Sequence, residues 1–230
     1  MSKTLVTQTS TSIEVPSYLE TDSPLGTEHL TTDDVAMPRL SLAQAMSDQV
    51  NPTHSDYIDG LKVGDFFNSV SGTNYTSGPL RFSILCSYAP RGIEFAPMEQ
   101  GGGVVDLDVP LNDARMMFGP KGEPPIATRF YDYILMLNPG QKEDVISMSL
   151  ARSGVKAAKS LNGLVRMRGT AIFTGIYTAE SISKTSQQGN YMAWRFRNDG
   201  FIAEDLVSRF SDLHKTLRMK DIAPDDAAPF

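Results

Sequence analysis

Short apolar runs separated by turn-forming residues dominate the middle of the chain, and their length and alternation predict strands. The runs are GDFFNSV (64–70), LRFSILCSY (80–88), RGIEF (91–95), RFYDYILML (129–137), EDVISMSL (143–150), RGTAIFTGIYTAESIS (168–183) and NYMAWRFR (190–197). In 80–88, Phe82, Ile84, Cys86 and Tyr88 share one face at a period of two. Asn-Pro-Gly between 129–137 and 143–150 is a strong turn signal. Residues 37–50 fit a short strand or a short helix equally well.

Two segments predict helices instead. ARSGVKAAKSLNGLV (151–165) lies between predicted strands, and Arg166 and Arg168 are expected in the strand that follows it. After Gly200, apolar residues at helical spacing predict an amphipathic C-terminal helix. The order indicates a mostly β (α+β) fold, with an antiparallel barrel or half-open sheet, one inserted helix and a C-terminal helix. The oligonucleotide-binding (OB) fold has this architecture, but the pattern also fits other α+β sheets.

The remaining segments predict the domain organisation. Residues 1–34 are polar and acidic and are expected to form a flexible N-terminal arm. Residues 35–219 form one domain, interrupted by a long Gly/Pro loop near 96–128. Residues 220–230 are expected to form a flexible acidic tail.

Charge is distributed unevenly along the chain. The formal net charge is −6, yet residues 152–220 carry twelve basic and five acidic residues, a net +7. The flanking segments are acidic. No apolar run is long enough to span a membrane, we expect no signal peptide, and the single cysteine, Cys86, is typical of a reducing cytoplasm.

No pattern of catalytic or metal-binding residues emerges. The three histidines do not share metal-ligand spacing, Cys86 lies among apolar residues, and Asp106 and Asp108 are best explained as surface acids. We therefore expect a protein that is not an enzyme and that uses no cofactor or metal.

Basic and aromatic residues cluster in three places, and together they predict a groove for a single-stranded polyanion, with cations meeting phosphates and rings stacking on bases. In NYMAWRFR, Tyr191, Arg195 and Arg197 share the face opposite the large apolar side chains. In 151–165, Arg152, Lys156 and Lys159 follow at i, i+4 and i+7 on one side of the predicted helix, with no intervening acid. The third cluster is Tyr88, Arg91 and Phe95 around the Ala-Pro turn. Taken singly, each cluster would also fit a solvated surface.

The C-terminal segment DIAPDDAAPF resembles the tip of bacterial and phage single-stranded-DNA-binding proteins, in which acidic residues precede a hydrophobic end. Asp225, Asp226, Pro229 and Phe230 match that pattern, whereas Ala227 and Ala228 depart from it. The resemblance implies that the tail recruits replication and recombination proteins, with the terminal ring in an apolar pocket and the acids at its basic rim.

A wider resemblance covers roughly residues 37–219. The order MPRLSLAQAMS, GDFFN, EFAPMEQGGG, SLARSGVKAAKSL and GNYMAWRF is similar to tailed-bacteriophage single-stranded-DNA-binding proteins. It implies an OB-type fold and a protein that binds and protects single-stranded DNA during phage replication or recombination, in the host cytoplasm, with a homo-oligomer as one form it could take. The alternative is a phage virion or assembly protein that does not bind nucleic acid.

Overall fold

The structure, a computed structural model, describes residues 36–97, 99, 101–120, 122–186 and 189–220. The predicted arm (1–34) and the tail residues Asp225, Asp226, Pro229 and Phe230 lie outside the described residues. The elements are β1 (Leu40–Leu42), β2 (Phe66–Asn68), β3 (Asn74–Thr76), β4 (Leu80–Ser87), β5 (Arg91–Phe95), β6 (Val104–Val109), β7 (Ala127–Leu137), β8 (Asp144–Ala151), α1 (Val155–Arg168), β9 (Gly175–Ser186), β10 (Gly189–Phe201) and α2 (Val207–Lys220).

The main sheet confirms the predicted mostly β, α+β architecture. Five antiparallel strands follow the order β10-β9-β4-β7-β8, and α1 connects β8 to β9. The strands are therefore arranged as an OB-like sheet with one inserted helix and a C-terminal helix. Among the described residues no hydrogen-bonded ladder joins β8 to β10, so the sheet does not close into a barrel.

Residues 38–44, which we call the N-terminal segment, occupy the space between β8 and β10. On one side the backbone amide of Ser147 in β8 donates to the carbonyl of Pro38 at 2.9 Å. On the other side, the Gln44 side chain donates to the carbonyl of Met192 in β10 at 3.0 Å and accepts from its amide at 2.9 Å. The small sheet β1-β2-β3 extends this segment. A side-chain amide thus replaces the strand pairing that would satisfy the β10 backbone here.

A β-bulge in β4 divides its buried side chains between two hydrophobic cores, a central core beneath α1 and a second core beneath α2. The register with β7 shifts between Ile84 and Cys86. Phe82 and Ile84 consequently face the central core with α1, whereas Leu85 and Cys86 pack in a second core under α2. The prediction that residues 82, 84, 86 and 88 share one face was therefore wrong after Ile84, because the bulge reverses the alternation.

The structure corrects two further predictions. The segment near 96–128 is not one long loop, because it contains β6, which pairs with β5 and extends the sheet beyond β4. The inserted helix begins at Val155 and ends at Arg168, so Arg166 and Arg168 belong to its last turn and not to the next strand. Gly169 ends the helix in the left-handed conformation, with φ of 65°.

Both helices bury one side against the sheet. Ala158 and Leu161 of α1 are fully buried in the central core, and Phe210 of α2 is fully buried in the second core. Within the described chain, neither helix has the length and apolar character needed to cross a bilayer.

Candidate nucleic-acid interface

The outward side of α1 carries a stripe of exposed cations. Because Ala158 and Leu161 anchor the helix inward, Lys156, Lys159 and Arg166 emerge on the opposite side, at i, i+3 and i+10, and all three are exposed. The helix contains no acidic residue. We call Lys156, Lys159 and Arg166 the α1 stripe.

Arg152 lies just before the helix, in a short 3₁₀ turn spanning Arg152–Gly154. Its φ is 48°, a left-handed conformation that a helical residue does not adopt. The prediction that Arg152 shares a helical face with Lys156 and Lys159 was therefore wrong. Its side chain is nevertheless exposed at the start of α1, so the local charge remains positive.

Within the described part of the chain, no acid neutralises the α1 stripe. No carboxylate among the described residues forms an ion pair with Arg152 or with any member of the stripe. The sequence offers none nearby, since residues 145–179 contain no Asp or Glu at all. Uncompensated surface cations are the groups that release counterions when they meet phosphates.

The β10 residues are placed as predicted on the outer face, but their charge is shared. Trp194 and Phe196 pack against the central core, so Arg195 and Arg197 point outward and are exposed. The Nε atom of Arg195 donates to Glu180 in β9 at 2.8 Å, and the Nε atom of Arg197 lies 3.6 Å from the same carboxylate. One acid therefore offsets part of the charge of both arginines.

Tyr191 lies farther along the same face, next to a small cleft. The cleft has a volume of about 200 Å³ and is lined by Gln44, Val63, Met192 and Tyr191 together with neighbouring polar residues. Tyr191 is half-buried there. None of the described residues that line this cleft is a cation, so it does not by itself form a phosphate site.

Arg91 is committed to a buried ion pair. Its Nε atom donates to Oδ2 of Asp132 at 3.0 Å, and Oγ of Ser149 donates to Oδ1 of the same carboxylate at 2.6 Å. The Asp132 side chain is 1% exposed and the Arg91 side chain 17%. A cation that compensates a buried carboxylate is held in the fold and is poorly placed to meet a phosphate.

The aromatic residues of the third cluster are also largely structural. Tyr88 packs against the second core, and burial raises the pKa of the neighbouring Cys86 thiol. Phe95 packs against Phe130, with ring centroids 6.1 Å apart. Both Tyr88 and Phe95 are half-buried.

The predicted residues thus lie in separate groups and do not line one groove. The neighbours of Asp132 in β7, Tyr131 and Tyr133, face the central core beneath α1. Asp132 and Arg91 therefore occupy the opposite face of the sheet from α1. Arg195 and Arg197 likewise point away from that core. Of the predicted cations, Arg152, Lys156, Lys159, Arg195 and Arg197 are exposed and Arg91 is not, because the sequence patterns do not show which faces the strands present.

The segment that carries β5 and β6 is acidic and partly apolar. Arg115 contacts Glu94 at 2.7 Å, Asp106 at 3.0 Å and Asp113 at 2.9 Å. The hydrogen bond from Arg115 lowers the pKa of Asp113, and the three carboxylates together raise the pKa of the guanidinium. Several apolar side chains in this segment are largely exposed, namely Val105, Met117, Phe118 and Ile126. We call residues 91–126 the acidic lobe.

One member of the α1 stripe was missed as a helical residue. Arg166 was predicted in a strand, because the helix was expected to stop at residue 165. The Gly169 that follows two arginines was the available signal, since basic residues and then glycine mark a helix C-terminus. No cluster of three or more His, Cys, Asp or Glu residues suited to a metal occurs among the described residues.

Comparison with known families places the chain. The model of a family described as Pam3 phage gp34-like protein matches residues 7–223. The chain belongs to this gp34-like family. The family takes its name from a phage protein, which suggests a bacteriophage origin. Searches among curated proteins and among solved structures find no match.

Proposed function

We propose that this gp34-like protein binds and protects single-stranded DNA, largely independently of sequence, in phage DNA replication or recombination, and that it has no catalytic activity. The observation that carries the proposal is the α1 stripe, a row of exposed cations without ion pairs to described acids. Backbone phosphates are the ligands that such a stripe attracts without regard to sequence.

The arrangement of the sheet supports the same proposal. An OB-like sheet with a helix between its third and fourth strands is one that binds oligonucleotides in many proteins, although a fold alone does not define a ligand. We propose that the finer classification is an OB-type fold whose open side is filled by the N-terminal segment. Arg195, Arg197 and Tyr191, on the outer face of the sheet and separate from the α1 stripe, would then be secondary contacts.

Salt dependence of binding tests the proposal most directly. For single strands, the logarithm of the binding constant falls with the logarithm of salt concentration with a slope of about −0.7 for each phosphate contact. A variant with Lys156→Ala, Lys159→Ala and Arg166→Ala should therefore lose affinity for a labelled oligo(dT) and flatten the slope by about 2. Fluorescence anisotropy between about 50 and 200 mM salt measures both quantities.

A charge-matched control separates local contacts from net charge. Lys62, Lys142 and Lys215 are exposed and lie outside α1. Their triple alanine variant loses the same formal charge and should bind like wild type. Equal losses for both variants, salt-independent binding, or a preference for duplex DNA would contradict the proposal.

The tail residues Asp225, Asp226, Pro229 and Phe230 retain the role proposed from sequence, recruitment of replication or recombination proteins. A chain truncated after Lys220 should keep its affinity for oligo(dT) and lose capture of such partners. Loss of DNA affinity on truncation would instead assign the tail a structural part. We propose that the protein acts in the host cytoplasm. A homo-oligomer is one form in which it could bind DNA.

The acidic lobe favours a second candidate function, that of a virion or assembly protein. The side chains of Val105, Phe118 and Ile126 are 60%, 73% and 65% exposed, and such grouped apolar exposure often marks protein contacts. If this function is correct, the protein should self-associate or co-purify with capsids in a way that Phe118→Ala weakens. It should also fail to shift an oligonucleotide in a gel.

A further inference from the structure

An exposed aromatic ring lies at the C-terminal end of α1. Phe201, the last residue of β10, is 59% exposed. The guanidinium of Arg168, the last residue of α1, lies between two rings, with its Cζ atom 4.6 Å from the centroid of Tyr177 and 4.6 Å from that of Phe201. Tyr177 is buried, so the stack runs from the core through Arg168 to a ring at the surface.

Hydrogen bonds fix the guanidinium beneath this ring. Arg168 donates through Nε to Oδ1 of Asn198 at 3.1 Å, and through Nη2 to the carbonyl of Ile176 at 2.9 Å. Its Nη1 atom donates to the carbonyl of Gly200. These partners lie in β9 and β10, so Arg168 ties the end of the helix to the strand pair. The Arg168 guanidinium therefore covers one face of the Phe201 ring, and these hydrogen bonds hold it in place.

A β-bulge turns Phe201 towards α1. The register between β10 and β9 shifts between Asn198 and Gly200, where Asp199 is the extra residue. In a regular strand every second side chain points to the same side, so without the bulge Phe201 would share the side of Arg197, four residues earlier. With the bulge it points to the side of Asn198 and Arg168. Gly200 has a φ of 109°, a conformation that glycine adopts without strain.

The ring lies at the last turn of α1, which carries two basic residues. Arg166 is exposed two residues before Arg168, and Met167 is 82% exposed between them. Arg168 projects about 200° round the helix from Arg166, on the sheet side, so the ring lies at the C-terminal end of α1 and a strand that follows the stripe reaches it by passing over that end. Aromatic rings beside a row of cations provide stacking surfaces for bases whose phosphates the cations hold.

We propose that Phe201 is a stacking platform for one base of the single strand whose phosphates follow the α1 stripe. This inference rests on the proposed function and names the part of the site that recognises bases. Phe118 serves as a comparison, since it is even more exposed but belongs to the acidic lobe, a segment with six acidic and three basic residues. Exposure alone therefore does not define the platform, whereas its position at the basic C-terminal end of α1, stacked on Arg168, does.

The test compares oligo(dT) with an abasic oligomer of the same length and charge. Phe201→Ala and Phe201→Leu should each lower the affinity for oligo(dT) by roughly 5- to 150-fold, because stacking on one ring is lost. Both variants should bind the abasic oligomer as wild type does. Phe118→Ala should bind both oligomers as wild type does, and thermal unfolding confirms that each variant is folded.

The outcomes separate the two proposals. Wild-type affinity of Phe201→Ala for oligo(dT) overturns the platform and leaves the proposed function standing. Equal losses on the two oligomers also overturn it, since the ring would then act only by supporting Arg168. If wild-type protein binds neither oligomer, the proposed function itself fails.

Discussion

The ion pair between Arg91 and Asp132 should contribute strongly to stability, although sequence reasoning assigned Arg91 to DNA. In Arg91→Met the Asp132 carboxylate, 1% exposed, keeps its hydrogen bond from Ser149 but loses its cation. Removing one partner of a buried ion pair typically costs about 3–5 kcal/mol, because the remaining charge stays desolvated. For a domain of this size, that corresponds to a fall of roughly 6–20 °C in Tm.

A double-mutant cycle isolates the pair. Asp132→Asn keeps the shape of the side chain and an acceptor for Ser149 while removing the charge. The double variant, Arg91→Met with Asp132→Asn, leaves no buried charge, so it should be more stable than the sum of the single losses predicts, with a coupling of about 1–3 kcal/mol. Urea unfolding with an unchanged m-value measures each free energy of unfolding.

Two results would refute this reasoning. A loss of less than about 1 kcal/mol for Arg91→Met would show that the pair is not desolvated as its burial implies. A fully stable Arg91→Met variant that binds oligo(dT) weakly would instead return Arg91 to the DNA-binding role predicted from sequence.

Three further predictions concern single side chains. Gly163→Ala should stabilise the protein by about 0.5–1 kcal/mol in urea unfolding, because a Cβ there would meet nothing within 4 Å and glycine weakens a helix interior; destabilisation would contradict this. Gln44→Ala should cost about 1–2 kcal/mol by removing two hydrogen bonds to Met192, and an unchanged unfolding midpoint would show that the gap beside β10 closes without it. Cys86, fully buried and with its pKa raised by burial, should not react with a thiol reagent at neutral pH until the protein is denatured; a fast native reaction would place it at the surface.

Much of the fold followed from local sequence patterns. The strands 91–95, 129–137 and 143–150 were predicted to within two residues of β5, β7 and β8, because alternation and turn residues are local signals. Bulges were not predictable in this way. The shift at Ile84 and Cys86 moves side chains between two cores, and it depends on the pairing with β7, which the sequence of β4 does not encode.

The candidate site was less predictable for the same reason. Lys156 and Lys159 were recognised because helical spacing is a local property, although both ends of the helix were misplaced by three or four residues. Whether Arg91 meets solvent or Asp132 depends on a residue forty-one positions away. The direction of Phe201 depends on a bulge in a strand pair. Charge type and spacing therefore predicted a polyanion partner, while tertiary pairing decided which cations remain available.

A net charge of −6 does not oppose the proposed binding, because charges act over limited distances in salt. At physiological ionic strength the screening length is about 8 Å, shorter than the roughly 20 Å length of α1. A strand lying along the helix therefore interacts with Lys156, Lys159 and Arg166 much more strongly than with acids farther away. The segregation of charge along the chain thus leaves the proposed DNA path along α1 without acids of its own, a property that the net charge conceals.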